Sequence, residues 1–230
     1  MTDTFNISPP PGFEVTEMVN IGGDKNTDED RLAESVVDLA LGDDEEAAVD
    51  DTAAVFAEDE ETEVVVDVSQ IVYKNVWKAA NEEARADVKK LWDDSFGDKM
   101  PEEIKNKRLD LICVVAYYGE KCVGVSTMNV EMNSNLWVRM GLFRCMVHEH
   151  YRRNGIATGL LLECKKALKK YSDEHPGEEI KAIGAIMDAK MFGEHGLKPY
   201  WPKTGLTLMS YNEHGMQMRI VWLEDTKVKY

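Results

Sequence analysis

Cys145-Met146-Val147-His148-Glu149-His150-Tyr151-Arg152-Arg153-Asn154-Gly155-Ile156-Ala157 is the stretch from which the rest of this chain can be read. It closes an apolar run, Leu136 to Val147, that reads as a long strand. It opens a segment, Thr158 to Ser172, with Leu161, Cys164, Leu168 and Tyr171 on one helical stripe and Lys165, Lys166, Lys169 and Lys170 off it. Between the two lies a loop of the form Arg-x-x-Gly-x-Ala. Backbone N–H groups at a helix start have no intrahelical acceptor, and the helix dipole adds partial positive charge there. Gly155 and the small Ala157 let an anion approach the backbone, and Arg152 and Arg153 add charge at the rim. The stretch therefore predicts a strand, an anion-binding loop and a helix over 137–172.

Working outward, Glu179 to Met187 reads as a further strand and Ala189 to His195 as a short helix closed by Gly196. Thr207 to Tyr211 and Met216 to Leu223 read as a last hairpin. Upstream, Leu111 to Tyr118, the turn Gly119-Glu120-Lys121 and Cys122 to Val130 read as another hairpin. Before it, Trp77, Ala80, Ala84, Val88, Leu91 and Trp92 recur at helical spacing up to Phe96-Gly97, and Pro101 starts a short second helix. This alternation implies an α/β class with a central sheet and helices on both faces.

The formal charge of -16 is unevenly spread. Residues 1–70 hold 21 acids and two bases, Lys25 and Arg31, whereas residues 71–230 hold 22 acids and 25 bases. The first segment, 1–69, lacks Trp and Tyr and makes no long apolar stripe, so it reads as an acidic N-terminal extension that is disordered in isolation. Two readings stand for it: a solvated tail, or an arm that folds on a protein partner through Arg31 to Leu41. Val64 to Val68 reads as a strand candidate. The remainder, 70–230, reads as the folded domain. Cys113, Cys122, Cys145 and Cys164 form no C-x-x-C pair and read as buried reduced thiols of a cytoplasmic protein. No apolar run reaches membrane-spanning length, and no concentrated basic face suggests nucleic acid.

Val-His-x-x-Tyr-Arg-Arg-x-Gly-Ile-Ala, after a long strand and before a Leu-rich helix, resembles motif A of the GNAT superfamily of N-acetyltransferases. The order of elements from about residue 64 is similar to that fold as well. The resemblance implies a mixed central sheet of about six to seven strands with helices on both faces. It implies acetyl-CoA as cosubstrate and direct transfer of an acetyl group to a primary amine of a small molecule, peptide or protein. By the same resemblance, Cys145, Met146 and Val147 pair with the pantetheine arm across a splayed strand end. The Val147 N–H then faces the thioester carbonyl. Arg152, Arg153, Asn154, Gly155, Ile156, Ala157 and Thr158 wrap the pyrophosphate.

The chain departs from the family where catalysis is concerned. Phe192 stands where many members carry a Tyr acid, and Gly141 falls near the place of the Glu base of histone-type members. Acid and base are thus unassigned, with Tyr200 the remaining acid candidate by position. Tyr200 and Trp201 either line the acceptor pocket or cover the core edge. Trp137 and Arg139, at the start of the central strand, read as packing and solvent-facing residues. His148 and His150 read as exposed loop histidines, and no metal site is expected. The alternative reading is a non-catalytic GNAT-fold protein docked to an assembly through its acidic arm.

Overall fold

The run before Arg152 becomes β4 (Val138–Val147) and the run after Gly155 becomes α3 (Ile156–Glu174), with the loop between them. The computed structural model describes residues 66–134, 136–212 and 214–224. The candidate helix Arg31 to Leu41, and the acidic segment as far as residue 65, lie outside the described residues.

Before β4 come β1 (Ile71–Asn75), α1 (Glu82–Phe96), α2 (Glu102–Leu109), β2 (Ile112–Tyr118) and β3 (Lys121–Asn133). After α3 come β5 (Ile180–Met187), the short α4 (Gly193–Leu197), β6 (Tyr200–Trp201), β7 (Leu206–Tyr211) and β8 (Gln217–Trp222). All eight strands form one sheet in the order β1-β2-β3-β4-β5-β8-β7-β6. The β4–β5 pair is parallel, bridged by the α3 crossover, and the other pairs are antiparallel. The mixed α/β sheet expected from the sequence is present, with one or two strands more.

Both extra strands are short. β1 begins at Ile71, after the valine-rich stretch, whose described part runs into a 3-10 turn at Val68–Gln70. Asp67 accepts from Ser69 N at 3.0 Å and fixes that turn, so Val66 and Val68 are not in a strand. β6 spans two residues, too few to leave a periodic signal. Trp77 and Ala80 precede α1 instead of belonging to it. Asn81 Oδ1 accepts from Ala84 N at 2.9 Å, and this cap, with Glu82 and Glu83 behind it, starts the helix. Trp77 instead packs edge-on against Tyr171, with ring centroids 4.9 Å apart. Trp137 is a second correction: it sits in the turn before β4 with φ 53° and is 85% exposed, so it does not pack.

Helices cover both faces of the sheet. α3 buries Leu160, Leu161, Cys164 and Leu168 against Val114, Ala116, Phe143, Val147 and Ile183. α1 and α2 bury Val88, Leu91, Trp92 and Leu109 against Ile112, Val115, Val125 and Met146. All four cysteines are free and buried. Leu168 is wholly buried, so Leu168→Ala should lose about 2–5 kcal/mol of stability. Urea unfolding should then show a lower midpoint with an unchanged slope.

Candidate active site

The β4–β5 pairing runs from Arg139↔Ile180 to Leu142↔Gly184 and stops. Beyond it, β4 stays paired with β3 as far as Gly124↔Val147, and β5 stays paired with β8 as far as Met187↔Gln217. The sheet is therefore split between β4 and β5 over the last residues of both strands. Which backbone groups line the split follows from strand alternation. His148 N donates to Val123 O at 2.9 Å, so residue 148 turns its backbone groups toward β3. Residues 147 and 145 then turn theirs the other way, into the split. On the facing wall, Leu223 N donates to Lys181 O at 2.9 Å, which turns Ile186 toward the split by the same rule.

The loop that follows is held by its own side chains. Arg152 Nε donates to Val147 O at 3.1 Å, tying the loop to the strand end. Asn154 Nδ2 donates to Tyr151 O at 3.3 Å and to Arg152 O at 3.0 Å. Arg153 and Gly155 both adopt left-handed backbone, with φ 63° and 68°. A bend of this kind turns successive N–H groups to one side, which makes an anion-binding concavity. The first intrahelical bond of α3 is Gly159 N to Gly155 O at 3.0 Å, so the N–H groups of Ile156, Ala157 and Thr158 precede the ladder. A Cβ placed on Gly155 would meet nothing within 4 Å, so space lies open beside this bend.

Cys145, Met146, Val147, Arg152, Arg153, Asn154, Gly155, Ile156, Ala157 and Thr158 thus lie along one continuous path, from the split to the helix start. Their side chains do different things. Cys145 points into the core beside Cys164, and burial pushes its thiol pKa up, so it is no nucleophile. Met146 points to the other face and packs among the residues beneath α1. Burial lowers the Arg152 pKa and Glu149 opposes the shift, but a guanidinium remains charged at neutral pH.

The remaining candidates fall outside this path. A Cβ on Gly141 would lie 2.7 Å from Met128 Sδ and 2.8 Å from Leu168 Cδ2, so position 141 faces packed core under α3. Phe192 packs edge-on against Trp201, with centroids 5.1 Å apart. Trp201 itself is buried and donates from Nε1 to His195 O at 3.0 Å, so it belongs to the core and not to a pocket. Tyr200, 52% exposed, pairs with Thr207 at the sheet edge. The rings of His148 and His150 are 5.1 Å apart, and no group of three or more His, Cys, Asp or Glu side chains converges among the described residues. Burial, then Lys121 and His150, lower the His148 pKa against Glu149 and Asp94, which keeps that ring neutral at pH 7. Sequence reasoning missed Arg108 and Arg144, which line one cavity on the face beneath α1. They are far apart in the chain, and no spacing signal links them.

Residues 76–175 match the family model described as acetyltransferase (GNAT) family. Solved structures similar to this chain are acetyltransferases. A GNAT family N-acetyltransferase (YhbS) from Escherichia coli in complex with CoA is 16% identical, over 68% of this chain and 83% of that one, with a TM-score of 0.49. A phosphinothricin acetyltransferase from Sinorhizobium meliloti in complex with acetyl-CoA is 14% identical, over 70% and 94%, with a TM-score of 0.48. Naa50 from Arabidopsis thaliana, bound to a bisubstrate analogue, is 14% identical, over 66% and 97%, with a TM-score of 0.43. No curated protein sequence matches the chain. No helix among the described residues is long and apolar enough to cross a membrane.

Proposed function

We propose that this chain is an acetyl-CoA-dependent N-acetyltransferase that transfers the acetyl group directly to a primary amine. The observation that carries this reading is the split between β4 and β5, which opens onto the left-handed loop and the start of α3. An extended pantetheine arm supplies the missing strand: its amides pair with the backbone N–H and C=O of Cys145, with Met146 and Val147 flanking them. Arg152, Arg153 and the N–H groups from Asn154 to Thr158 take the pyrophosphate. The Val147 N–H points to the place of the thioester oxygen. The Val147 carbonyl already accepts from Arg152, so it does not compete for the amine.

In the reaction, the neutral amine nitrogen attacks the thioester carbon and its C=O electrons move onto oxygen. The Val147 N–H stabilises that oxyanion. Collapse of the tetrahedral species breaks the C–S bond, CoA leaves as thiolate, and the proton lost by nitrogen passes to solvent. The buried Cys145 thiol supports direct transfer over a covalent acetyl-cysteine. Residues 70–230 form the catalytic unit in this reading, and the acidic segment 1–69 is a tail or an arm for a protein partner. The four buried free thiols support a reducing, cytoplasmic setting.

One observation favours a second, non-catalytic reading: positions 141 and 192 are packed and carry no titratable group. Calorimetry with acetyl-CoA, followed by a thiol-release assay across a panel of primary amines, separates the two. Heat and thiol release are the expected results. Absence of heat sinks the transferase reading, and heat without release across the panel favours the non-catalytic one.

A further inference from the structure

Arg144 stands in the split half of β4, two residues past the last pair with β5. Its neighbour Met146 packs among the residues beneath α1, and alternation puts the Arg144 side chain on that same face. The opposite face of β4 is closed by α3, where Phe143, Cys145 and Val147 are buried. On the Arg144 face a cleft lined by Arg144, Cys145 and Met146 adjoins the split, and an acceptor that approaches the thioester carbon from there passes Arg144.

Arg144 does not stand there alone. It shares a narrow cleft with Arg108, lined also by Trp92, Val125, Thr127, Cys145 and Met146, whose space of about 10 Å³ takes one water-sized group such as a carboxylate oxygen. Arg108, on the last turn of α2, is only 7% exposed. Burial and the nearby Arg144 charge lower its pKa to about 10, so the two guanidiniums feel each other. Among the described residues no carboxylate pairs with Arg144, although ion pairs are plentiful on the same helices, such as Lys105 with Asp93 and Arg85 with Asp110. Two cations held on one low-dielectric cavity, with the outer one unneutralised, form a site built for an anion. The narrow cavity and the planar fork of arginine suit a carboxylate.

We infer that the acceptor amine carries a carboxylate, which Arg144 binds at the open face of the split with Arg108 behind it. This rests on the transferase reading above. Arg144 is then a specificity-determining residue: it places the amine of an amino acid or of an acidic peptide over the thioester carbon. Glutamine at this position keeps part of the length and a hydrogen-bond donor but removes the charge.

The test uses matched acceptors in the thiol-release assay: glycine against glycinamide, β-alanine against its amide, and an Asp-containing dipeptide amide against its Asn counterpart. The first two pairs report a free amino acid, the third an acidic peptide. The carboxylate member of at least one pair should show a kcat/KM at least about tenfold higher. Arg144→Gln should remove that preference by raising KM, while Arg144→Lys retains part of it. Acetyl-CoA affinity by calorimetry should stay the same in all three proteins. A second readout works without turnover: N-acetylglycine against N-acetylglycinamide, titrated into the CoA-saturated full chain and followed by thermal shift. The acid should stabilise the wild type and not Arg144→Gln. Equal behaviour of acid and amide in both assays, or equal loss of both in Arg144→Gln, overturns the inference. Failure of the wild type to bind acetyl-CoA overturns the transferase reading itself.

Discussion

Gly155→Glu is expected to weaken acetyl-CoA binding at least about 100-fold while leaving the fold intact. A Cβ at this position meets nothing within 4 Å, so the new side chain starts into open space. Its left-handed backbone, φ 68°, costs a non-glycine residue about 1 kcal/mol, well below the stability of an ordinary domain. The carboxylate, however, enters the space where the pyrophosphate sits in the proposed complex. Two like charges about 5 Å apart repel by about 3 kcal/mol at an effective dielectric constant near 20, before any steric exclusion is counted. Calorimetry reads the affinity, and a thermal melt without ligand checks the fold. Near-normal affinity in a folded variant would place the pyrophosphate elsewhere.

The second large effect is on stability. Gly141→Glu puts a carboxylate where histone-type relatives carry their base by resemblance, and it is expected to unfold the protein instead of activating it. The first added carbon already falls 2.7 Å from Met128 Sδ and 2.8 Å from Leu168 Cδ2. Overpacking of this kind costs about 1–3 kcal/mol. An unpaired charge enclosed by core side chains adds several kcal/mol more. The sum is about 5 kcal/mol or more, comparable to the whole stability of many domains. Thermal denaturation should show a loss of more than about 10 °C, or no cooperative transition. Gly141→Ala, lacking the charge, should be the milder of the two. A folded Gly141→Glu protein that releases thiol faster than the wild type would refute this account and restore position 141 to the cleft.

The contrast between these two glycines shows what could be read from residues alone. Gly155 announced itself: it follows paired arginines, precedes a Leu-rich stripe and sits where a helix must start. Its surroundings are local, so spacing revealed them. Gly141 has the same side chain, but its meaning depends on Met128 and Leu168, which come from another strand and a later helix. The resemblance puts the base of histone-type members near this position, and the packing here leaves no room for one. The split between β4 and β5 was likewise expected by resemblance only, since the sequence of neither strand changes where their pairing ends at Leu142 and Gly184. The true start of α1 was hidden because Trp77 and Ala80 continue its helical spacing by coincidence, ahead of the Asn81 cap. Arg144 was hidden because no spacing in the sequence links it to Arg108, which shares its cleft.

The central pair of strands has a mechanical side. Four residue pairs join β1–β4 to β5–β8 across the middle of the sheet. The chain itself crosses between the two halves through α3, whose first turn carries N–H groups that precede the helical ladder. The molecule is thus a pair of tongs whose strap starts at the jaw that grips. Tension on the strap and grip at the jaw share the same few residues, Gly155 to Thr158. In the proposed complex, a ligand seated there therefore ties the strap to the end of β4, on one side of the joint between the halves.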